Sequence, residues 1–389
     1  MNRLLLLLLA ASARAEFSVP GFELVYSYPV ETTLEEKDLR LAQDVWPKMF
    51  DAAKKTIDIE EFYASPMDGE PLEASLKALE RAAKRGVKIR VTLEKKFEKN
   101  SLDGIARLKS IPGLDLRILD WSSINAGAGI IHAKFFVVDG KAAYVGSQNF
   151  DWRALKHIHE TGLRVTDAKV AADIQRVFDH DWAYTEGKPE PDGADLAFDR
   201  DARAYLVASP KAKNPAGIGD SEAELVRLIA QSTSAISIQL LDYNPTTYGR
   251  PKRFYPVIDN ALRDAAVRGV KVRLLVSHWN TEEGAIDHLK SLSLVPGIEV
   301  RILTVPEAKQ GPIPFSRTIH SKYMTADGNV AWVGTSNWAG GYLDSSRNLE
   351  LVVKDAALSA RLAAMHGRLW TSSYSEPVDL ARHYPKPRK

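Results

Sequence analysis

The strongest constraint on this chain is an internal repeat, because it fixes the reading of every motif that lies inside it. Gly86-Val87-Lys88-Ile89-Arg90-Val91 recurs as Gly269-Val270-Lys271-Val272-Arg273-Leu274, and Pro112-Gly113-Leu114-Asp115-Leu116-Arg117-Ile118-Leu119 recurs as Pro296-Gly297-Ile298-Glu299-Val300-Arg301-Ile302-Leu303. The order is kept and the separation grows slowly downstream, as duplicated domains with loop insertions require. A length of 389 residues suits two domains, and 45% apolar with 26% charged residues is enough to build both cores.

Periodicity sets the fold class. Thr56 to Phe62 alternates like a strand, Leu72 to Arg85 carries helical spacing up to Gly86, and Val87 to Leu93 reads as a buried strand. In the second half Ala235 to Leu241 reads as a strand and Val257 to Arg268 as a helix ahead of Gly269. Strands alternating with helices predict a layered α/β fold in each half. The stretch rich in Pro, Gly, Asp and Lys marks a boundary, so the expected division is 16–190, a linker over 191–219 with a short strand candidate near Ala204 to Ala208, and 220–389.

Residues 1–15 are set apart: Arg3, the apolar run Leu4 to Leu9 and Ala13-Arg14-Ala15 form the pattern of a cleavable signal peptide. The run is shorter than the roughly 20 residues that span a bilayer, so a secreted or periplasmic protein without a transmembrane segment is expected. Cleavage removes two of the 52 basic residues and none of the 50 acidic ones, so no net charge draws the mature chain to nucleic acid or anionic lipid. Cysteine is absent, which excludes disulfides, thiolate nucleophiles and Cys-based metal sites.

The two copies share a polar signature. His132-Ala133-Lys134 with Asp139 precedes Gly146-Ser147-Gln148-Asn149, and His320-Ser321-Lys322 with Asp327 precedes Gly334-Thr335-Ser336-Asn337. Both read H-x-K-x4-D followed by G-[ST]-x-N. Residues two apart on an extended chain share a face, so each imidazole and its ammonium converge on one ligand, and that pairing suits an anion. Asp139-Gly140 and Asp327-Gly328 read as hairpin turns, which makes both aspartates structural, with Ser147 and Thr335 as supports beside Asn149 and Asn337. A single copy would be weak, but two complete copies at matching places point to function.

These residues resemble the paired HKD motifs of the phospholipase D superfamily, over nearly the whole mature chain. The likeness is nearest to the animal lysosomal phospholipase-D-like exonucleases and their poxviral relatives. It runs through Phe135, through Asn149-Phe150-Asp151-Trp152-Arg153, through Trp338 and through Tyr255 to Leu262. The resemblance implies two α/β/α domains whose motifs meet at a pseudo-twofold interface and form one phosphodiester-cleaving site without cofactor or metal. It implies one histidine as nucleophile through a phosphohistidine and the other as general acid, and His132 and His320 are expected in that order. Lys134, Lys322, Asn149 and Asn337 would hold the phosphoryl oxygens, and Glu160 and Glu350, 28 and 30 residues after their histidines, would orient the imidazoles. The animal members carry cysteines and a membrane anchor, whereas this chain has no cysteine and a short leader, so compartment and substrate do not transfer.

His157, His159 and Glu160 could mimic a metal cluster, but alternation turns Glu160 away from the two imidazoles. The substrate stays open between a phospholipid headgroup and a single-stranded nucleic-acid end, and peripheral membrane contact stays open with it. Phosphatidyl transfer of the cardiolipin-synthase type and a non-enzymatic phosphate or lipid binder are the competing readings. Missing transmembrane segments count against the first, and the intact histidines and lysines count against the second. Asn125 to Gly129 and Gly311 to Arg317 are expected as pocket walls. Phe62, Tyr63, Trp152, Tyr243, Trp338 and Tyr342 are stacking candidates, and Arg382, Lys386, Arg388 and Lys389 form a basic tail that an ordinary solvated surface would also explain.

Overall fold

The computed structural model describes residues 16–189, 191–193, 198–248 and 251–389, so the expected signal peptide at 1–15 lies outside the described residues. Each half contributes a nine-stranded mixed sheet. The principal strands of the first are β1 (Phe22–Ser27), β2 (Thr56–Glu61), β3 (Lys88–Glu94), β4 (Leu114–Leu119), β5 (Lys134–Val138), β6 (Ala142–Gly146) and β7 (Glu160–Val165). Those of the second are β8 (Ala204–Ser209), β9 (Ala235–Leu240), β10 (Lys271–Ser277), β11 (Ile298–Leu303), β12 (Tyr323–Ala326), β13 (Val330–Gly334) and β14 (Asn348–Lys354).

Their spatial orders, β1-β7-β6-β5-β2-β3-β4 and β8-β14-β13-β12-β9-β10-β11, are the same. In both sheets the strands joined through helices are parallel and the hairpin strands antiparallel. The repeated glycines end the helices Leu72–Lys84 and Val257–Val267, with φ of +84° at Gly86 and +92° at Gly269, a backbone that L side chains resist.

The linker expected over 191–219 is only partly a connection. β8 lies inside it and pairs with β14 along its whole length, so the second unit starts earlier than composition placed it. β8 occupies the place in its sheet that β1 holds in the first, and both are buried throughout. A short strand carries too little periodic signal to outweigh the polar residues around it.

Alternation sorts the cores. Phe135 and Val137 face a central core, while Phe136 and Val138 face an outer one. The central core is continuous across both halves: helices Ala168–Thr185 and Ala356–Thr371 lie in it, together with the inner faces of both sheets. Separate outer cores lie under the flanking helices of each half. Burying the two repeats against one another therefore fixes what meets at the seam between them. Among the described residues no helix is long and apolar enough to cross a membrane.

Candidate active site

The site forms where the two halves hand residues to each other. Each histidine sits just before its strand, and its backbone N–H donates across the seam: His132 to the Arg347 carbonyl at 2.9 Å, His320 to the His159 carbonyl at 2.8 Å. Bridges Ile131 to Arg347 and His159 to Ile319 complete the two symmetric crossings. Arg347, the residue just before β14, is held by a buried bidentate pair to Asp181, at 2.7 and 2.8 Å, and by Asn214 Oδ1 at 2.8 Å. Removing one partner of such a buried pair typically costs about 3–5 kcal/mol, so this latch holds the seam in register.

The imidazole partners also cross, and they differ. His320 Nδ1 lies 2.9 and 2.8 Å from the two Glu160 carboxylate oxygens. His132 Nδ1 lies 2.9 Å from Asn348 Oδ1. The Asn348 amide is oriented by its surroundings: Nδ2 donates to the Tyr342 carbonyl at 3.1 Å and to Ser346 O and Ser209 Oγ at 3.3 Å, and Oδ1 accepts from Thr335 Oγ1 at 3.1 Å. An amide oxygen accepts only, so His132 carries its proton on Nδ1 and keeps the Nε2 lone pair.

This corrects the expectation for Glu350. Asn348 lies as far beyond His320 as Glu160 lies beyond His132, whereas Glu350 pairs across the sheet with Gly334 just as Gly162 pairs with Gly146. Glu350 therefore occupies the place of Gly162, where its carboxylate accepts from the Ser336 hydroxyl, and burial pushes its carboxyl up to about 8. Matching carboxylate to carboxylate shifted the alignment by one side-chain repeat. Counting from the histidines would have found Asn348.

Both lysines are buried. Lys134 Nζ donates to the His132 carbonyl, and burial holds its pKa down to about 7 against the pull of Glu61 and Glu160. Lys322 is also held well below its usual range by burial, with Glu160 opposing and Lys134 adding to the shift, and its Nζ has no acceptor among the described residues. Burial, then Lys134 and Lys322, hold the His132 imidazole well below its usual range. His320 is pushed the same way by burial, then by Lys322, Lys134 and His132, with the Glu160 carboxyl against its Nδ1. Burial pushes the Glu160 carboxyl itself up to about 8. Asn149 and Asn337 both line the cleft, and each leaves its Oδ1 without a partner among the described residues.

Asp139 and Asp327 stand apart, in the hairpin turns. With φ of +55° and +50° they aim their carboxylates at the starts of β2 and β9. Asp139 accepts from the N–H groups of Lys54, Lys55 and Thr56 at 2.9, 2.6 and 2.9 Å. Asp327 accepts from those of Thr233, Ser234 and Ala235 at 2.8, 2.8 and 3.1 Å. Ser147 and Thr335 clasp the neighbouring strand, exchanging hydrogen bonds with Thr161 and accepting from Leu349 N respectively.

Both histidines open on one cleft of about 480 Å³. Phe62 stands 5.3 Å from the His132 ring and Tyr342 stands 4.7 Å from it, both edge-on, and Phe97 packs on Phe62 at 4.0 Å. Tyr63 lines the cleft, whereas Tyr243 and Trp338 lie in the second outer core and Trp152 packs in the first. Of the two expected walls, Gly311 to Arg317 supplies Pro314 and Phe315. Asn125 instead bonds the Ser345 carbonyl at 2.7 Å and ties the halves together. Arg153, at the end of the motif that starts at Asn149, lines the cleft, and Phe97, Asp242 and Trp279 are cleft residues that sequence reasoning missed. His159 meets Ser321 Oγ and Gln239 at 3.1 Å, and His157 packs on Trp152.

The family described as "Cardiolipin synthase, PLD-like domain" matches residues 47–182 and 225–370, once in each half. The chain is 34% identical over 369 residues to "Phospholipase D Z" of Dictyostelium discoideum, covering 86% of each. It is 31% identical over 373 residues to "5'-3' exonuclease PLD3" of Xenopus tropicalis, covering 85% of this chain and 75% of that one. In fold it resembles the phosphatidylserine synthase of Haemophilus influenzae, with a TM-score of 0.62 at 12% identity over 86% of this chain and 84% of that one. With the twofold motif match and relatives that share most of its length, the chain belongs to the phospholipase D superfamily and is a phosphodiesterase.

Proposed function

We propose that the protein is a secreted phosphodiesterase that cleaves the terminal nucleotide from single-stranded nucleic acid through a phosphohistidine on His132. The observation that carries the division of labour is the unequal partnering of the two imidazoles. Asn348, a neutral acceptor, leaves His132 uncharged with a free lone pair, while the Glu160 carboxylate favours the imidazolium of His320. Two imidazoles so divided are what one displacement at phosphorus needs.

In the first step the His132 Nε2 lone pair attacks phosphorus, the N–P bond forms and the P–O bond to the leaving group breaks. The proton on His320 goes to the departing oxygen. In the second step His320 takes a proton from water, the hydroxide attacks phosphorus, and the N–P bond breaks to return neutral His132. Lys134, Lys322, Asn149 and Asn337 supply the positive charge and donors for the phosphoryl oxygens, and the acceptor that Lys322 Nζ lacks is a phosphoryl oxygen. Because the lysines place charge where it accumulates, the scheme routes no step through a metal.

The substrate reading rests on the cleft walls. Phe62 and Tyr342 flank the nucleophile with aromatic faces that suit bases. Of the cations that line the cleft, Arg153 is held by Asp151, and Lys389, bonded to Glu282, stands at one end, so among the described residues the lining suits a strand end better than a long internal run. The relative named as a 5'-3' exonuclease accords with this. The exposed Phe315 at the rim favours one alternative, an acyl chain of a phospholipid. Parallel assays on 5′-hydroxyl single-stranded DNA and RNA, phosphatidylcholine and phosphatidylglycerol test it. Release of mononucleotides is expected, and headgroup release with intact oligonucleotides would refute the nucleic-acid reading.

A further inference from the structure

The cleft has a neighbour. A second cavity of about 320 Å³ is lined by Asn244, Thr247, Tyr248 and Asn280, and Asp242, Trp279 and Lys389 belong to the walls of both cavities. An aromatic path joins them: Tyr342 stands against His132, and Tyr248 stands 5.6 Å from Tyr342, edge-on. Tyr248 is more than half exposed, so its ring is open to a partner. The indole Nε1 of Trp279, in the shared wall, has no acceptor among the described residues.

The segment that carries Lys389 to the junction is fastened in place. The Tyr384 hydroxyl accepts from Asp379 N at 2.8 Å, and Thr281 Oγ1 donates to the Pro385 carbonyl at 3.2 Å. Lys389 Nζ donates to Glu282 at 2.6 Å and lies 5.7 Å from the Trp279 ring. The amide, hydroxyl and phenol groups of the second cavity suit a polar ring-bearing unit, while the carboxylates of Asp242 and Glu282 disfavour a phosphate inside it. These carboxylates, with Glu283, outnumber Lys252, the cation that lines the second cavity, and Lys389 stands where the two cavities meet.

We propose that this second cavity is a nucleoside subsite. One nucleoside beside the scissile phosphate packs near Phe62 and Phe97 in the first half, and the nucleoside across that phosphate enters the second cavity and stacks on Tyr248. Lys389 then meets the phosphate that follows. The inference rests on the nucleic-acid reading above.

The test compares kcat/KM for bis(p-nitrophenyl) phosphate, which has no nucleoside, with the thymidine dinucleotide TpT and an oligothymidylate hexamer. Tyr248→Ala is expected to lower kcat/KM for TpT roughly tenfold more than for bis(p-nitrophenyl) phosphate, the effect of one lost stacking contact. Lys389→Ala is expected to weaken the hexamer several-fold more than TpT, because TpT has no following phosphate. Equal effects of Tyr248→Ala on TpT and on the nucleoside-free substrate would overturn the subsite while leaving the nucleic-acid reading intact. A wild-type enzyme that turns over bis(p-nitrophenyl) phosphate but neither nucleic acid would overturn both.

Discussion

Burial alone would keep Glu160 protonated near neutral pH, but when the shared proton sits on His320 the carboxyl is an anion beside an imidazolium, and replacing Glu160 by Gln removes that charge while keeping an acceptor on His320 Nδ1. The carboxylate oxygens are 2.8 and 2.9 Å from that nitrogen, which places the centres of charge about 4 Å apart. At an effective dielectric of about 20 the lost attraction is worth about 4 kcal/mol. At about 1.4 kcal/mol per pKa unit, that lowers the pKa of His320 by about three units. The carboxylate favours the imidazolium, so without it the proton leaves at lower pH, and the basic limb of the kcat/KM profile moves down. Lys134 and Lys322 lose the same counter-charge and move in the same direction. The leaving group separates the causes. An alkoxide departs only with a proton, so oligonucleotide cleavage by Glu160→Gln is expected to fall about 10²–10³-fold at neutral pH, within the range for general acid-base groups. A p-nitrophenolate departs without a proton, so stopped-flow mixing with bis(p-nitrophenyl) phosphate is expected to keep its initial burst and slow only in later turnovers, where His320 must activate water. Loss of the burst together with oligonucleotide cleavage would refute the assignment of His320 as acid and point to it as the nucleophile.

Three further outcomes follow from the same geometry. His132→Ala is expected to lower turnover by at least about 10²-fold and to abolish the acid-labile phosphoenzyme trapped from radiolabelled substrate, whereas Glu160→Gln still forms it; trapping that survives in His132→Ala contradicts the scheme. Burial holds Lys134 down to about 7, so its ammonium is present below that pH and lost above it, and KM for a phosphodiester is expected to rise with pH through about 7; a flat KM from pH 6 to 9 would speak against a phosphate-holding role. Burial would raise the Asp327 carboxyl, but the N–H groups of Thr233, Ser234 and Ala235 hold it down to about 2. Its folded-state pKa thus lies below the unfolded one, and the stability it contributes is complete above about pH 4 and lost as pH falls through about 2. Asp327→Ala is expected to cost about 2 kcal/mol in urea unfolding at pH 7, with the gap to wild type closing towards pH 2, and activity per folded molecule retained.

The sequence by itself determined the duplication, the α/β layering and the paired histidines and lysines. Each of these is written locally: in residue spacing, in the glycines that need positive φ, in Asp-Gly hairpin turns. Asp139 and Asp327 were legible as structural for that reason, since a turn is decided by a few adjacent residues. What only the tertiary structure decided is which group lies against which imidazole. Asn348 touches His132, and Glu160 touches His320, because two repeats buried on one central core exchange the first residues of β14 and β7 across the seam. A strand's side-chain repeat of two puts Asn348 and Glu350 on one face, so matching by residue type picks Glu350, and the pairing of Glu350 with Gly334 on β13 shows that Asn348 is the counterpart of Glu160. The cleft walls at Phe97, Asp242 and Trp279 were hidden for the same reason: Phe97 and Trp279 lie in the 3-10 turns after β3 and β10 and Asp242 follows β9, and the tertiary fold brings these strand ends together.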